Sequence, residues 1–135
     1  MSAIQARLPA IAAKTIVVVG VAIYLPYLLY LPLPDSVAAK GATEFMSAEA
    51  LGLLLYIMAT GGAAFVSWGM IMGEIGEGSV SKQEVLKASA IGVGLLALMR
   101  FELALFPHAP FDGMLFLPIG ESVLFFVIAV FLYRA

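Results

Sequence analysis

The feature that most constrains this chain is a set of four apolar stretches, residues 15–33, 50–73, 88–106 and 115–133, each about as long as a bilayer is thick. A hydrocarbon core of about 30 Å requires about 20 consecutive apolar residues in helical form. Together the stretches leave only short tails and loops. Spanning β-strands would instead show segments of about ten residues alternating apolar and polar. Here Ile16-Val17-Val18-Val19 and Leu124-Phe125-Phe126-Val127-Ile128 are continuous apolar runs. The reading is therefore all-α: an integral membrane four-helix bundle, one transmembrane domain over residues 1–135, with helices at about 12–33, 47–73, 82–106 and 115–134. Composition agrees, because 63% hydrophobic and 12% charged residues lie outside the range of water-soluble domains.

Basic residues near the membrane ends predict the orientation. Arg7 and Lys14 precede the first helix, Lys82 and Lys87 lie between the second and third, and Arg134 closes the fourth, against Lys40 alone in the opposite loops. Both termini are thus expected in the cytoplasm, in a bacterial inner membrane. Arg7 and Lys14 before an apolar run loosely resemble a cleavable leader, but the run is too long for one and is read as a retained first helix.

Local signals place the helix ends. Pro26 inside the first apolar run predicts a kink or early unwinding, and Pro32 and Pro34 a stop. Tyr24, Tyr27 and Tyr30 recur at every third position and line one side. Ser47 is an N-cap with Glu49 in the first turn, and Ser81-Lys82-Gln83-Glu84 reads as a capping box. Residues 73–80, with three glycines, predict a mobile loop, and Pro118 fits a first helical turn. Small residues let helix backbones approach closely in lipid. Gly62, Gly69 and Gly73 on the second helix, the last two in GxxxG spacing, and Gly92 and Gly94 on the third are therefore assigned to packing, the second helix against the third.

Charges inside an apolar span are costly unless paired. Three stand there: Arg100, Glu102 and Glu121. Arg100 lies roughly 9 Å before the end of its helix, and Glu121 a similar distance after the start of the next, at 1.5 Å per residue. The two helices run antiparallel, so an Arg100–Glu121 ion pair is predicted. Glu102 lies about 200° around the helix from Arg100 and must face another partner. Tyr24, Tyr27, Glu49, His108 and Asp112 form the expected periphery of this polar level. The plain reading is a structural clamp between helices. The functional reading is an outward-facing pocket for an anionic or hydrogen-bonding ligand, such as a lipid headgroup or quinone.

Much chemistry is excluded. No cysteine is present, and His108 is the single histidine, so bis-histidine haem, iron–sulfur clusters and zinc sites lack ligands. The glycines of residues 73–78 have no following Lys-Ser/Thr and no preceding strand, which removes a phosphate loop. No nucleophilic set can be assembled, no catalytic residue is assigned, and no metal or cofactor is expected. A net charge of −2 with scattered basic residues points away from nucleic acid.

Ser47-Ala48-Glu49-Ala50 opening a glycine-rich helix, Leu98-Met99-Arg100, Asp112-Gly113 and Gly120-Glu121 give the chain from about residue 43 onward a resemblance to the bacterial domain of unknown function 4345 family of small four-helix membrane proteins. Leu51-Gly52-Leu53 departs from it, being more apolar than that family's start of the second helix. The resemblance implies the fold and the grouping of Arg100, Asp112 and Glu121, and it implies no reaction.

The leading expectation is a non-catalytic accessory or assembly subunit, with membrane lipids and other membrane proteins or copies of itself as partners. The alternatives are a small oligomeric transporter or channel with an outward-facing Arg/Glu site, and a lipid- or quinone-binding membrane protein.

Overall fold

The computed structural model describes residues 3–30, 44–77, 81–106, 113 and 116–135. Four helices account for nearly all of them: α1 Ala3–Tyr30, α2 Ala48–Glu77, α3 Lys82–Leu105 and α4 Phe116–Arg134. Each is long and apolar enough to cross a bilayer, with mean hydropathy between 1.7 and 2.1 over the spans.

The predicted starts of α2 and α4 and both ends of α3 hold to within a turn, whereas the stop expected at Pro32 and Pro34 lies outside the described residues. α1 begins at Ala3 instead of near residue 12, and Pro9, its seventh residue, lies inside the helix. It also neither unwinds nor stops at Pro26, but continues to Tyr30. Tyr24 and Tyr27, buried on either side of the proline, tie that turn into the core. The α2 helix continues past Gly73 to Glu77, so the first half of the expected loop is helical. Ser47 caps α2, accepting from the Ala50 N–H at 3.2 Å. The capping box of α3 is complete: the Glu84 N–H donates to Ser81 Oγ, and the Ser81 N–H donates to Glu84 Oε2.

Cross-helix contacts fix the topology. Gly76 meets Pro9, Gly69 meets Ala13 and Val17, and Gly62 meets Gly20 and Tyr24, so α1 and α2 are antiparallel. Ser67 against Gly92 together with Tyr56 against Arg100 makes α2 and α3 antiparallel, and Ala129 against Gly94 together with Glu121 against Arg100 does the same for α3 and α4. The closest seam is α1–α2. A Cβ at Gly62 would stand 2.6 Å from the Gly20 carbonyl oxygen, and one at Gly69 2.7 Å from Val17 Cγ2. Gly62, Gly69 and Gly76 recur every seven residues, as do Ala13, Gly20 and Tyr27 opposite them. That heptad spacing keeps one stripe facing its partner along the whole helix.

The packing prediction therefore needs correction. Gly62 and Gly69 serve α1, not α3, and Gly73 makes only an ordinary contact, 3.8 Å from Ala13 Cβ. Gly92 does meet α2, whereas Gly94 faces α4 at 4.0 Å. Four-residue spacing drew attention to Gly69 and Gly73, but the seven-residue register selects the face. Gly20, essential to the seam, lies alone in a valine-rich run and gives no four-residue signal.

The helices form a partly open row, not a closed ring. α1, α2 and α3 pack around Tyr24, Tyr27, Ala59, Ala63 and Met99. α4 rests on α3 and has no extensive contact with α1 or α2 among the described residues. Only 11% of its span is buried, against 33% for α2 and for α3.

Candidate functional site

Antiparallel packing brings the end of α1, the start of α2, the end of α3 and the start of α4 to one end of the bundle, where Arg100, Glu102 and Glu121 lie. Arg100 Nε lies 3.1 Å from Glu121 Oε2, which is the predicted ion pair. Both atoms are covered, yet the N–H is not aimed for a hydrogen bond, so the contact is one of charge. On the other side, the Arg100 guanidinium lies over the Tyr56 ring, 4.7 Å from its centre. A cation on an aromatic face gains about 0.5–2 kcal/mol, more as water is removed. Arg100 is thus held between α2 and α4, with 20% of its side chain exposed.

Tyr56 stands edge-on to Tyr27, with ring centres 6.0 Å apart. Tyr27 is fully buried, and the Tyr24 hydroxyl donates to the Leu95 carbonyl oxygen at 2.6 Å, tying α1 to α3. Ser122 adds a tie from α4, its hydroxyl donating to the Ala97 carbonyl oxygen at 3.0 Å. Glu102 turns away from the ion pair, as its spacing requires. Its Oε2 is buried without a hydrogen bond among the described residues.

The structure therefore brings together Arg100, Glu102, Glu121, Tyr24 and Tyr27, with all four helices contributing once Tyr56 is counted. It does not bring in Glu49, which is exposed in the first turn of α2. His108 and Asp112 lie outside the described residues. Sequence reasoning missed Tyr56 and Ser122, which look like an ordinary interfacial aromatic and a tolerated small residue. Their spacing gives one retrospective signal: Tyr56, Ala59 and Ala63 follow the three- and four-residue steps of a buried helical stripe. Among the described residues, no three of His, Cys, Asp or Glu converge as a metal site.

Two shallow grooves run along the α3–α4 seam. One, of about 490 Å³, is lined by Gly94, Ala97, Phe101, Ser122 and Phe126 among others. The second, of about 440 Å³, lies between Ala90 and Tyr133–Arg134, and both use Ala129 as floor. The walls of the first are almost wholly apolar, the second adds Tyr133 and Arg134 to an apolar lining, and neither takes Arg100, Glu102 or Glu121 as a wall. Such grooves suit a hydrocarbon chain or a helix face, not the orientation of a polar substrate against a base.

No protein-family model, curated protein or solved structure matches this chain.

Proposed function

We propose that the chain is an integral protein of a bacterial inner membrane, crossing it four times with both termini cytoplasmic, and that it is a non-catalytic accessory or assembly subunit. The observation that carries this reading is the open row of helices. Glycine faces are consumed in the internal α1–α2 and α2–α3 seams, whereas α4 presents Phe116, Val123, Leu124, Phe126 and Phe131 outward. A partner helix from another membrane protein, or from a second copy, docks on that side. The engaged state of Arg100, between Glu121 and Tyr56, supports a clamp over a substrate-binding group. Orientation follows from the basic residues of the tails and of the α2–α3 connection. The resemblance to the domain of unknown function 4345 family is consistent with this reading and adds no activity to it.

The test exploits a chain without cysteine. Leu124→Cys and Phe131→Cys, 55% and 72% exposed as native residues, are cross-linked in native membranes and the products identified after mild extraction. Cross-links to a stoichiometric partner or to a second copy are expected. A chain that stays uncross-linked and elutes as a lone monomer defeats the reading. The second reading, a small oligomeric transporter or channel, draws its support from Glu102, the carboxylate that the ion pair leaves over.

A further inference from the structure

The two grooves on the α3–α4 seam lie end to end. The one of about 440 Å³ runs from Tyr133 and Arg134 to Ala129, and the one of about 490 Å³ continues from Ala129 to Ser122. Small buried residues, Ala90 and Ala97 on α3 and Ala129 on α4, make the floor, and exposed Ile91, Leu98 and Phe126 stand in the walls. Ser122 comes twelve residues before Arg134, so the trough is about 18 Å long at 1.5 Å per residue. One leaflet contributes about 15 Å, half of the hydrocarbon core. The trough thus starts at one surface and ends near the middle of the bilayer, which is the reach of an acyl chain and only half that of a spanning helix. Its mouth is basic. Arg134 lines it, and the Lys87 ammonium stands over the Tyr133 ring, 6.0 Å from its centre, one turn before Ala90 and Ile91. Among the described residues neither cation has a carboxylate within ion-pair distance. Glu84, the acid closest to Lys87 along α3, accepts from the Ser81 N–H and hydroxyl in the cap. Residues 1–2 and 78–80, outside the described set, contribute no acidic side chain.

From an apolar trough one leaflet deep with two cations at its mouth, we propose that the α3–α4 seam is a binding site for an anionic phospholipid of the leaflet that Arg134 reaches. The phosphate lies at Lys87 and Arg134, and one acyl chain runs over Ala129 towards Ser122. Basic pockets between membrane helices select anionic headgroups, because a zwitterionic lipid brings its own cation to the mouth. With both termini cytoplasmic this is the inner leaflet. The lipid fills a seam between α3 and a helix that has no extensive contact with α1 or α2 among the described residues, and so holds α4 in place. This goes beyond an accessory role and does not depend on which partner docks. Leu124 and Phe131, on the partner side of α4, lie about 140–160° around the helix from Ala129, so the two occupants do not exclude each other.

The lipid that stays on the protein tests this. The full chain is reconstituted in vesicles of phosphatidylglycerol and phosphatidylcholine in equal amounts with identical acyl chains, re-extracted in a mild detergent, and the retained phospholipid is measured by mass spectrometry. The parent should keep phosphatidylglycerol in preference to phosphatidylcholine. Lys87→Gln and Arg134→Gln should each lower that preference about fivefold, and the pair roughly 25-fold. Lys82→Gln removes the same charge at the same end, but Lys82 lies about 140° around α3 from Lys87 and should leave the preference unchanged. Circular dichroism of all three variants should match the parent, since glutamine keeps most of the stem at an accessible position. A parent that keeps no phospholipid, or keeps both headgroups equally, overturns the proposal. So does a Lys82→Gln effect as large as that of Lys87→Gln, which would reduce the site to overall surface charge. Cross-linking of Ile91→Cys to a protein in native membranes would also overturn it, since a helix would then occupy the trough; Leu124→Cys and Phe131→Cys report on the partner separately.

Discussion

A single methyl group added to α2 should separate the two helices of the closest seam. In Gly62→Ala the new Cβ would lie 2.6 Å from the Gly20 carbonyl oxygen and 3.0 Å from both the Cβ and the backbone nitrogen of Tyr24. Ordinary carbon–oxygen contacts are about 3.3–3.6 Å, so α1 must retreat by roughly 0.7–1.0 Å. The atoms in the way are backbone and a Cβ, which no rotamer change can move. Overpacking of this kind costs about 1–3 kcal/mol. Alanine returns about 0.8–1 kcal/mol through helix propensity, which would blur the result if the variant were measured alone. The neighbouring glycine removes the ambiguity, because a Cβ at Gly61 meets nothing within 4 Å. Gly61→Ala therefore carries the propensity gain without the clash. Gly62→Ala should be less stable than Gly61→Ala by about 1–3 kcal/mol, the propensity gain cancelling in the comparison. Titrating a denaturing detergent against mild micelles, with helix content and Trp68 fluorescence as readouts, measures both. Equal midpoints for the two variants would mean that α1 and α2 do not approach this closely, and the heptad seam would be withdrawn.

Two further outcomes follow from the polar layer. Arg100→Gln leaves Glu121 without its cation, so the single variant should lose more stability than the pair Arg100→Gln with Glu121→Gln, with a coupling of about 0.5–3 kcal/mol in a double-mutant cycle. Zero coupling would remove the ion pair from what holds α3 to α4. Tyr24→Phe deletes the hydroxyl bond to the Leu95 carbonyl and should cost about 0.6 kcal/mol, the average for such bonds between membrane helices. Parental stability in that variant, by the same detergent titration, would show that the hydroxyl does not tie α1 to α3.

The polar layer also separates two roles that a list of charged residues leaves merged. Arg100 and Glu121 neutralise each other across α3 and α4, and their partly covered contact, with 20% and 31% of the side chains exposed, suits a clamp that water or headgroups still reach. Glu102, two residues further along, has its own surroundings of phenols and backbone. Its position relative to Arg100 was legible from helical geometry alone, since two steps of about 100° cannot serve one neighbour.

What the sequence determined by itself is whatever depends on counting along one helix. Four apolar stretches of spanning length, the Ser47 cap, the Ser81–Glu84 box and the depth match of Arg100 with Glu121 all follow from local spacing, and all appear in the structure. What only the tertiary structure decided is which face of each helix meets which neighbour. Gly62 and Gly69 turned to α1, Gly94 turned to α4, and Glu49 remained outside the polar layer, because these outcomes depend on how helices rotate about their axes against one another. In a chain whose faces are nearly all apolar, no hydrophobic stripe marks the inward side, so sequence gives little purchase on that rotation. Close packing then selects it: the seven-residue series of small residues admits a backbone where a four-residue motif only suggested one, and the same rotation carries Tyr56 under Arg100.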